Sequence, residues 1–177
     1  LLGCGAPVLT IVGKAWDAQV TQVLRTSLDE NLRMIGDSVA YLKAAGRTVI
    51  FDAEHFFDGY ASDPAYALAC LRAAHDAGAD SIDLCETNGG ALPFDVERIV
   101  AEAAAALPGQ AIGIHCHNDA GCAVANSLAA VRAGATQVQG TVNGLGERAG
   151  NADLLTVIAD LELKMGLQAV GSHSLQQ

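Results

Sequence analysis

Aromatic side chains are scarce in this sequence, only 5% of 177 residues, and 19 glycines punctuate it. That balance disfavours a β-sandwich and favours repeated strand and helix units, an α/β fold. Basic residues are few as well. Ten Lys and Arg against twenty Asp and Glu give a formal charge of −10, with no local basic cluster, which argues against nucleic acid or anionic lipid as a partner. No stretch approaches the ~18 to 20 apolar residues of a membrane span. The apolar opening Leu1 to Val12 lacks the basic segment of a signal peptide, so a cytoplasmic protein is expected. Cys4, Cys70, Cys85, Cys116 and Cys122 contain no Cys-x-x-Cys pair and are odd in number, which points to reduced thiols rather than a disulfide framework. What is abundant is aliphatic: hydrophobic residues make up 51% of the chain, enough for one sizeable core and a single domain.

Five short apolar or β-branched runs end in polar residues: Val8 to Gly13, Thr48 to Asp52, Ser81 to Cys85, Ala111 to His115, and Gln137 to Val142. They read as parallel strands. Between them, apolar spacing predicts helices over Thr21 to Ala45 (one helix or two), Pro64 to Ala77, Pro93 to Ala106, Ala120 to Ala133 and Ala152 to Met165. Gly46, Gly78 and Gly134 stand as helix stops, and Pro64 and Pro93 as helix starts. Ala-Gly-Ala at 77–79 and again at 133–135 marks a repeated helix-to-strand turn. Two architectures suit consecutive βα units: an open doubly wound sheet, or part of a (β/α)8 TIM barrel, since five units cannot close eight strands.

Chemistry concentrates where strands end. In a strand, residues two apart share a face, so His115 and His117 of Ile-His-Cys-His-Asn project together as a metal clamp. Without further support, the pair is about as well explained by two unrelated histidines. The loop Asn143-Gly-Leu-Gly-Glu-Arg-Ala-Gly-Asn151 allows close backbone approach and precedes a helix start that attracts anions. Read blandly, it is a tight turn with Asn151 as the helix N-cap. Asp52-Ala53-Glu54-His55 and Glu86-Thr87-Asn88 add polar strand ends. Lys14 could steer a carboxylate or a CoA phosphate, though a solvated side chain is the plainer expectation.

Ile-His-Cys-His-Asn-Asp followed by Val-Gln-Gly-Thr-Val-Asn-Gly-Leu-Gly-Glu-Arg-Ala-Gly-Asn-Ala-Asp-Leu resembles the DRE-TIM metallolyase superfamily, in its branch of 2-isopropylmalate, homocitrate and citramalate synthases. Thr-Ile-Val-Gly-Lys-Ala-Trp-Asp and the segment from Val49 to Leu68 look most like the citramalate synthase type. The resemblance implies a TIM barrel of which residues 1–166 are the five C-terminal βα units, with a linker beginning at 167–177. A chain that opens without Met on a strand-like run agrees with a piece of a longer protein, and the family's first-strand Arg and its carboxylate metal ligand have no counterpart here. The resemblance makes His115, His117 and Asn151 ligands of a divalent Mn, Mg or Zn ion. Glu54 becomes the catalytic carboxylate near acetyl-CoA and the 2-oxo acid, and Thr87 the partner of the substrate carboxylate. Gly144, Gly146, Glu147 and Arg148 become the loop facing acetyl-CoA. Glu86 and Gln19 depart from the family's usual Asp and His.

The implied reaction is a metal-assisted Claisen condensation of acetyl-CoA with a 2-oxo acid, pyruvate giving citramalate or 2-oxoisovalerate giving 2-isopropylmalate, on the way to isoleucine or leucine, in a full-length homodimer. An acyl-CoA or aldol lyase of the same superfamily, and an inactive barrel fragment, remain alternatives.

Overall fold

The structure is a computed structural model that describes residues 1–170. Five strands, β1 (Val8–Lys14), β2 (Thr48–Glu54), β3 (Ser81–Glu86), β4 (Ala111–Cys116) and β5 (Gln137–Gln139), pair in parallel in sequence order. A doubly wound sheet reverses its strand order at a switch point. No such reversal occurs, and right-handed crossovers that always advance in one direction place every helix on one face. The sheet is therefore an arc of a barrel, an α/β fold of consecutive βα units.

The strands alternate in character. Val49, Phe51, Ala53, Ile82, Leu84, Ile112, Ile114 and Cys116 are fully buried and face the helices α1 (Leu28–Ala44), α3 (Pro64–Asp76), α4 (Pro93–Ala106), α5 (Ala123–Arg132) and α6 (Leu154–Leu163). Ile35, Val39, Leu71, Val96, Val100, Ala130 and Val157 meet them from those helices. Each buried Val, Leu, Ile or Phe among them contributes about 1.5–3 kcal/mol of transfer free energy, so this layer carries the fold. The residues between them, Asp52, Glu54, Asp83, Cys85, His115, Gln137 and Gln139, point to the opposite, concave face.

Local chemistry explains most boundaries. Ser27 Oγ accepts the Glu30 N–H at 3.1 Å, an N-cap that starts α1. Asp63 caps α3 through the Tyr66 N–H, with Pro64 in its first turn. The repeated Ala-Gly-Ala turns place Gly78 and Gly134 at φ of +91° and +112°, which an L side chain resists.

One open alternative is resolved, one element is added and two expectations change. The stretch Thr21 to Ala45 is two elements: a π-helical segment Gln19–Leu24 ends at Arg25, whose φ of 57° breaks the helix before α1. A short helix α2 (Phe56–Ser62), unmarked in the sequence, fits against β1 because Gly59 has no side chain to strike the Ala15 carbonyl. Strand β5 ends at Gln139 rather than Val142, since Val142–Gly144 turn into a 3₁₀ segment. The N-cap of α6 is Asp153, accepting from Leu155 N at 3.2 Å, not Asn151.

Beyond α6, Ala169 and Val170 donate to the Glu162 carboxylate. Of the expected linker 167–177, residues 171–177 lie outside the described residues. Among the described residues no helix is long and apolar enough to cross a membrane.

Candidate functional site

The concave face carries a hydrogen-bonded layer beneath the strand ends. Asp52, Asp83, Gly113 and Gln137 are neighbours in register across β2 to β5. Asp83 is fully buried; Oδ1 accepts from Ser81 Oγ at 2.8 Å, and Oδ2 from Gln137 at 2.7 Å and Gln139 at 2.6 Å. Burial, with Asp52 nearby, pushes its carboxyl up to about 6 despite those donors. Burial also raises Asp52, against the opposing pull of Gln139 and His115.

One layer higher, toward the C-terminal strand ends, lie the reactive groups. Lys14 and Glu54 are paired in register and form an ion pair, both side chains largely shielded. Lys14 is therefore not a solvated lysine. Its own carbonyl is held by the buried Asn31 amide at 2.8 Å, and Asn31 also reaches Tyr66. Thr87, just past β3, accepts the His55 backbone N–H at 2.8 Å, which is presented by a left-handed His55 at φ 59°. The rings of His115 and His117 stack on the same face, 5.4 Å between centroids and 15° apart in plane.

Asn151 approaches from the glycine loop. An antiparallel bridge pairs it with His117, and its Oδ1 lies 2.9 Å from His115 Nε2. This commitment explains why it does not cap α6. Val12, Asp52, Glu54, Cys85, Thr87, His115, His117 and Glu147 line a single cleft of about 160 Å³. The fold thus brings Glu54, Thr87 and both histidines together, with Asn151 at the edge.

The expected acetyl-CoA loop is divided. Glu147 lines the cleft and is 76% exposed. Gly144 and Gly146 are packed so closely on Asn151 that a side chain at either would strike it. Arg148, at φ 56°, is engaged by neighbouring loops. Its Nε and Nη2 grip Asp119 at 2.8 and 3.0 Å, and Nη2 donates to the Thr87 carbonyl at 2.6 Å. That fork stitches three βα loops together, and the guanidinium holds the Asp119 carboxyl below the usual range. Glu86 points away from the cleft, where one of its oxygens takes the N–H groups of Gly90 and Ala91. Its departure from Asp therefore does not alter the cleft wall. Gln19 opens the π-helical segment.

Asp52 was legible only as one of several polar strand-end residues and Asp119 only as part of the histidine motif, while Gln139 was not singled out. The signal for Asp52 and Gln139 was position: they share strand parity with Glu54 and His115.

The donors fit a divalent ion. His117 Nδ1 is buried without a hydrogen-bond partner, and burial with His115 and Arg148 nearby holds its imidazole below the ordinary histidine value, in the neutral form that can ligate. Asp52, Cys85 and His115 place ligand atoms within 4.8 Å of one another. The Cys85 thiol is pushed well up by burial; the nitrogen and oxygen donors beside it are of the kind that Mn, Mg and Zn take.

The chain is 54% identical over 177 residues to an (R)-citramalate synthase of Streptomyces coelicolor, covering all of this chain and 33% of that protein. It is 51% identical over 177 residues to the (R)-citramalate synthase of Aquifex aeolicus, covering 34% of it. It spans about a third of the length of these curated relatives. Among solved structures, the HMG-CoA lyase of Bacillus subtilis superposes with a TM-score of 0.82 at 23% identity, over 94% of this chain and 58% of that one, a likeness of fold. The HMGL-like family matches residues 2–176, and with that match spanning every strand and the whole cleft, the chain belongs to the HMGL-like family.

Proposed function

We propose that the protein to which these residues belong condenses acetyl-CoA with a 2-oxo acid, pyruvate giving citramalate, with residues 1–166 forming the C-terminal part of its TIM-barrel domain. The observation that carries this reading is the convergence of Glu54, Thr87, His115 and His117 on one cleft at the C-terminal strand ends, the end that carries active sites in barrels. The identity to citramalate synthases supports a synthase over a lyase. Full-length protein is read as a cytoplasmic homodimer.

Each residue then has a task. The Glu54 carboxylate, held by the Lys14 ammonium, takes a proton from the acetyl-CoA methyl group. The enolate carbon bonds to the ketone carbon of the 2-oxo acid as the carbonyl π bond breaks, the resulting alkoxide takes a proton from solvent, and water then hydrolyses the thioester to release the CoA thiol and the hydroxy diacid. Thr87 Oγ1 already accepts the His55 N–H, so its own proton is free to donate to the substrate carboxylate. His115, His117 and Asn151 would hold a divalent ion, which supplies Lewis acidity at the ketone. The loop of Gly144, Gly146, Glu147 and Arg148 walls the side where acetyl-CoA would lie, with the Glu147 carboxylate beside Arg148 and lining the cleft.

The test is thiol release by the full-length protein with acetyl-CoA, pyruvate and Mn²⁺, expected to be faster than with 2-oxoisovalerate. No release with any 2-oxo acid would sink the synthase reading.

A further inference from the structure

Gln139 ends β5 in register with His115 on β4, and its amide is held from both sides. Nε2 donates to Asp52 Oδ1 at 2.9 Å and to Asp83 Oδ2 at 2.6 Å. An amide turned the other way would set its oxygen against two carboxyl groups, so the hydrogen-bond network fixes which end is which. Oε1 then faces His115 Nδ1 at 2.9 Å. A carbonyl oxygen only accepts, and Nδ1 must carry the proton.

In a neutral imidazole with Nδ1 protonated, Nε2 is a bare lone pair. That lone pair faces Asn151 Oδ1, another acceptor, 2.9 Å away. Asn151 is held in this sense because its Nδ2 is directed at the Leu145 carbonyl, at 3.4 Å. Two acceptors so close repel unless a positive centre lies between them, which is either a second ring proton, making the imidazolium, or a metal ion.

We infer that Gln139 is a positioning residue: backed by Asp52 and Asp83, it fixes the Nδ1–H tautomer of His115 and aims the Nε2 lone pair, with Asn151 Oδ1, at a divalent cation. This deepens the metal-site reading above and rests on it. Partners of this kind, which set the tautomer of a ligating histidine, typically govern 10- to 100-fold in metal affinity. Gln137 makes a useful contrast, since it reaches Asp83 but not His115.

The experiment uses full-length, metal-free protein with ring-¹⁵N histidine, at a pH above the histidine range, the His115 signals being identified by their loss in His115→Gln. In the wild type, Nδ1 is expected to be pyrrole-like and Nε2 pyridine-like. Gln139→Leu should mix the two tautomers and weaken Mn²⁺ binding by about 10- to 100-fold in calorimetry, while Gln137→Leu keeps the wild-type tautomer and Mn²⁺ affinity within about twofold. An Nε2–H tautomer in the wild type overturns the inference and needs no variant to fold. So does Mn²⁺ affinity in folded Gln139→Leu equal to that of the wild type. Unchanged Mn²⁺ affinity in His115→Ala would instead refute the metal site itself, leaving the tautomer to be read independently from the metal-free spectrum.

Discussion

Arg148 donates to the backbone carbonyl of Thr87 at 2.6 Å, across 61 positions of sequence, while its other nitrogen grips Asp119. The guanidinium is thereby a clasp on the loop that holds the Thr87 hydroxyl at the cleft. Arg148→Ala should raise KM for the 2-oxo acid by about tenfold, with a smaller change in kcat. Arg148→Lys should rescue little, because an ammonium lacks the planar fork that serves both partners. Initial rates of thiol release against 2-oxo acid concentration check this, and an unchanged KM would show the clasp to be idle.

Lys14 and Glu54 form an ion pair facing the cleft. Lys14→Met keeps the side-chain bulk and removes the charge that steadies the proposed base. We expect kcat to fall by about tenfold with KM nearly unchanged, and Lys14→Arg to recover part of it. If Lys14→Met retained full kcat, the pairing would have no part in proton removal.

Gly113 stands opposite Asp83 across β3 and β4, and a side chain there would run into the Asp83 carboxylate. Gly113→Ala should destabilise the protein by about 1–3 kcal/mol, the range for overpacking a filled interior. Urea denaturation of the full-length protein measures it. A midpoint equal to wild type would mean the carboxylate moves freely.

Asp83 also predicts a pH dependence. Its carboxyl stands at about 6 when folded, against an ordinary 3.8, so between those values the folded state binds the extra proton. The group's contribution to stability therefore falls as pH rises from about 4 to 6 and is fully unfavourable above that, by about 3 kcal/mol at roughly 1.4 kcal/mol per unit. Asp83→Asn cannot titrate. The stability of the variant relative to wild type should thus rise across this window in urea melts, and a pH-independent difference would contradict the buried charge.

Much of this was legible because it is local. The caps at Asp63 and the stops at Gly78 and Gly134 act within a few residues of where they stand, and the shared face of His115 and His117 follows from strand geometry alone. The position of the break at Arg25 and the short α2 were not legible. The first is a backbone angle taken by an ordinary arginine, and the second depends on Gly59 meeting the Ala15 backbone from another unit.

The sequence by itself determined the βα periodicity, the excess of acidic over basic residues, the lack of a long apolar run, the family, and which residue types could bind a metal. Tertiary structure alone decided their partners. Strand order and register brought Gln139 beside His115 and Asp52 beside Asp83, and loop packing turned Asn151 from a helix cap into a neighbour of His115. Arg148 likewise became a clasp on Thr87 rather than an open anion site. The physical reason is that a hydrogen bond requires its two groups about 3 Å apart, and for residues tens of positions apart only the closed arrangement of strands provides that proximity.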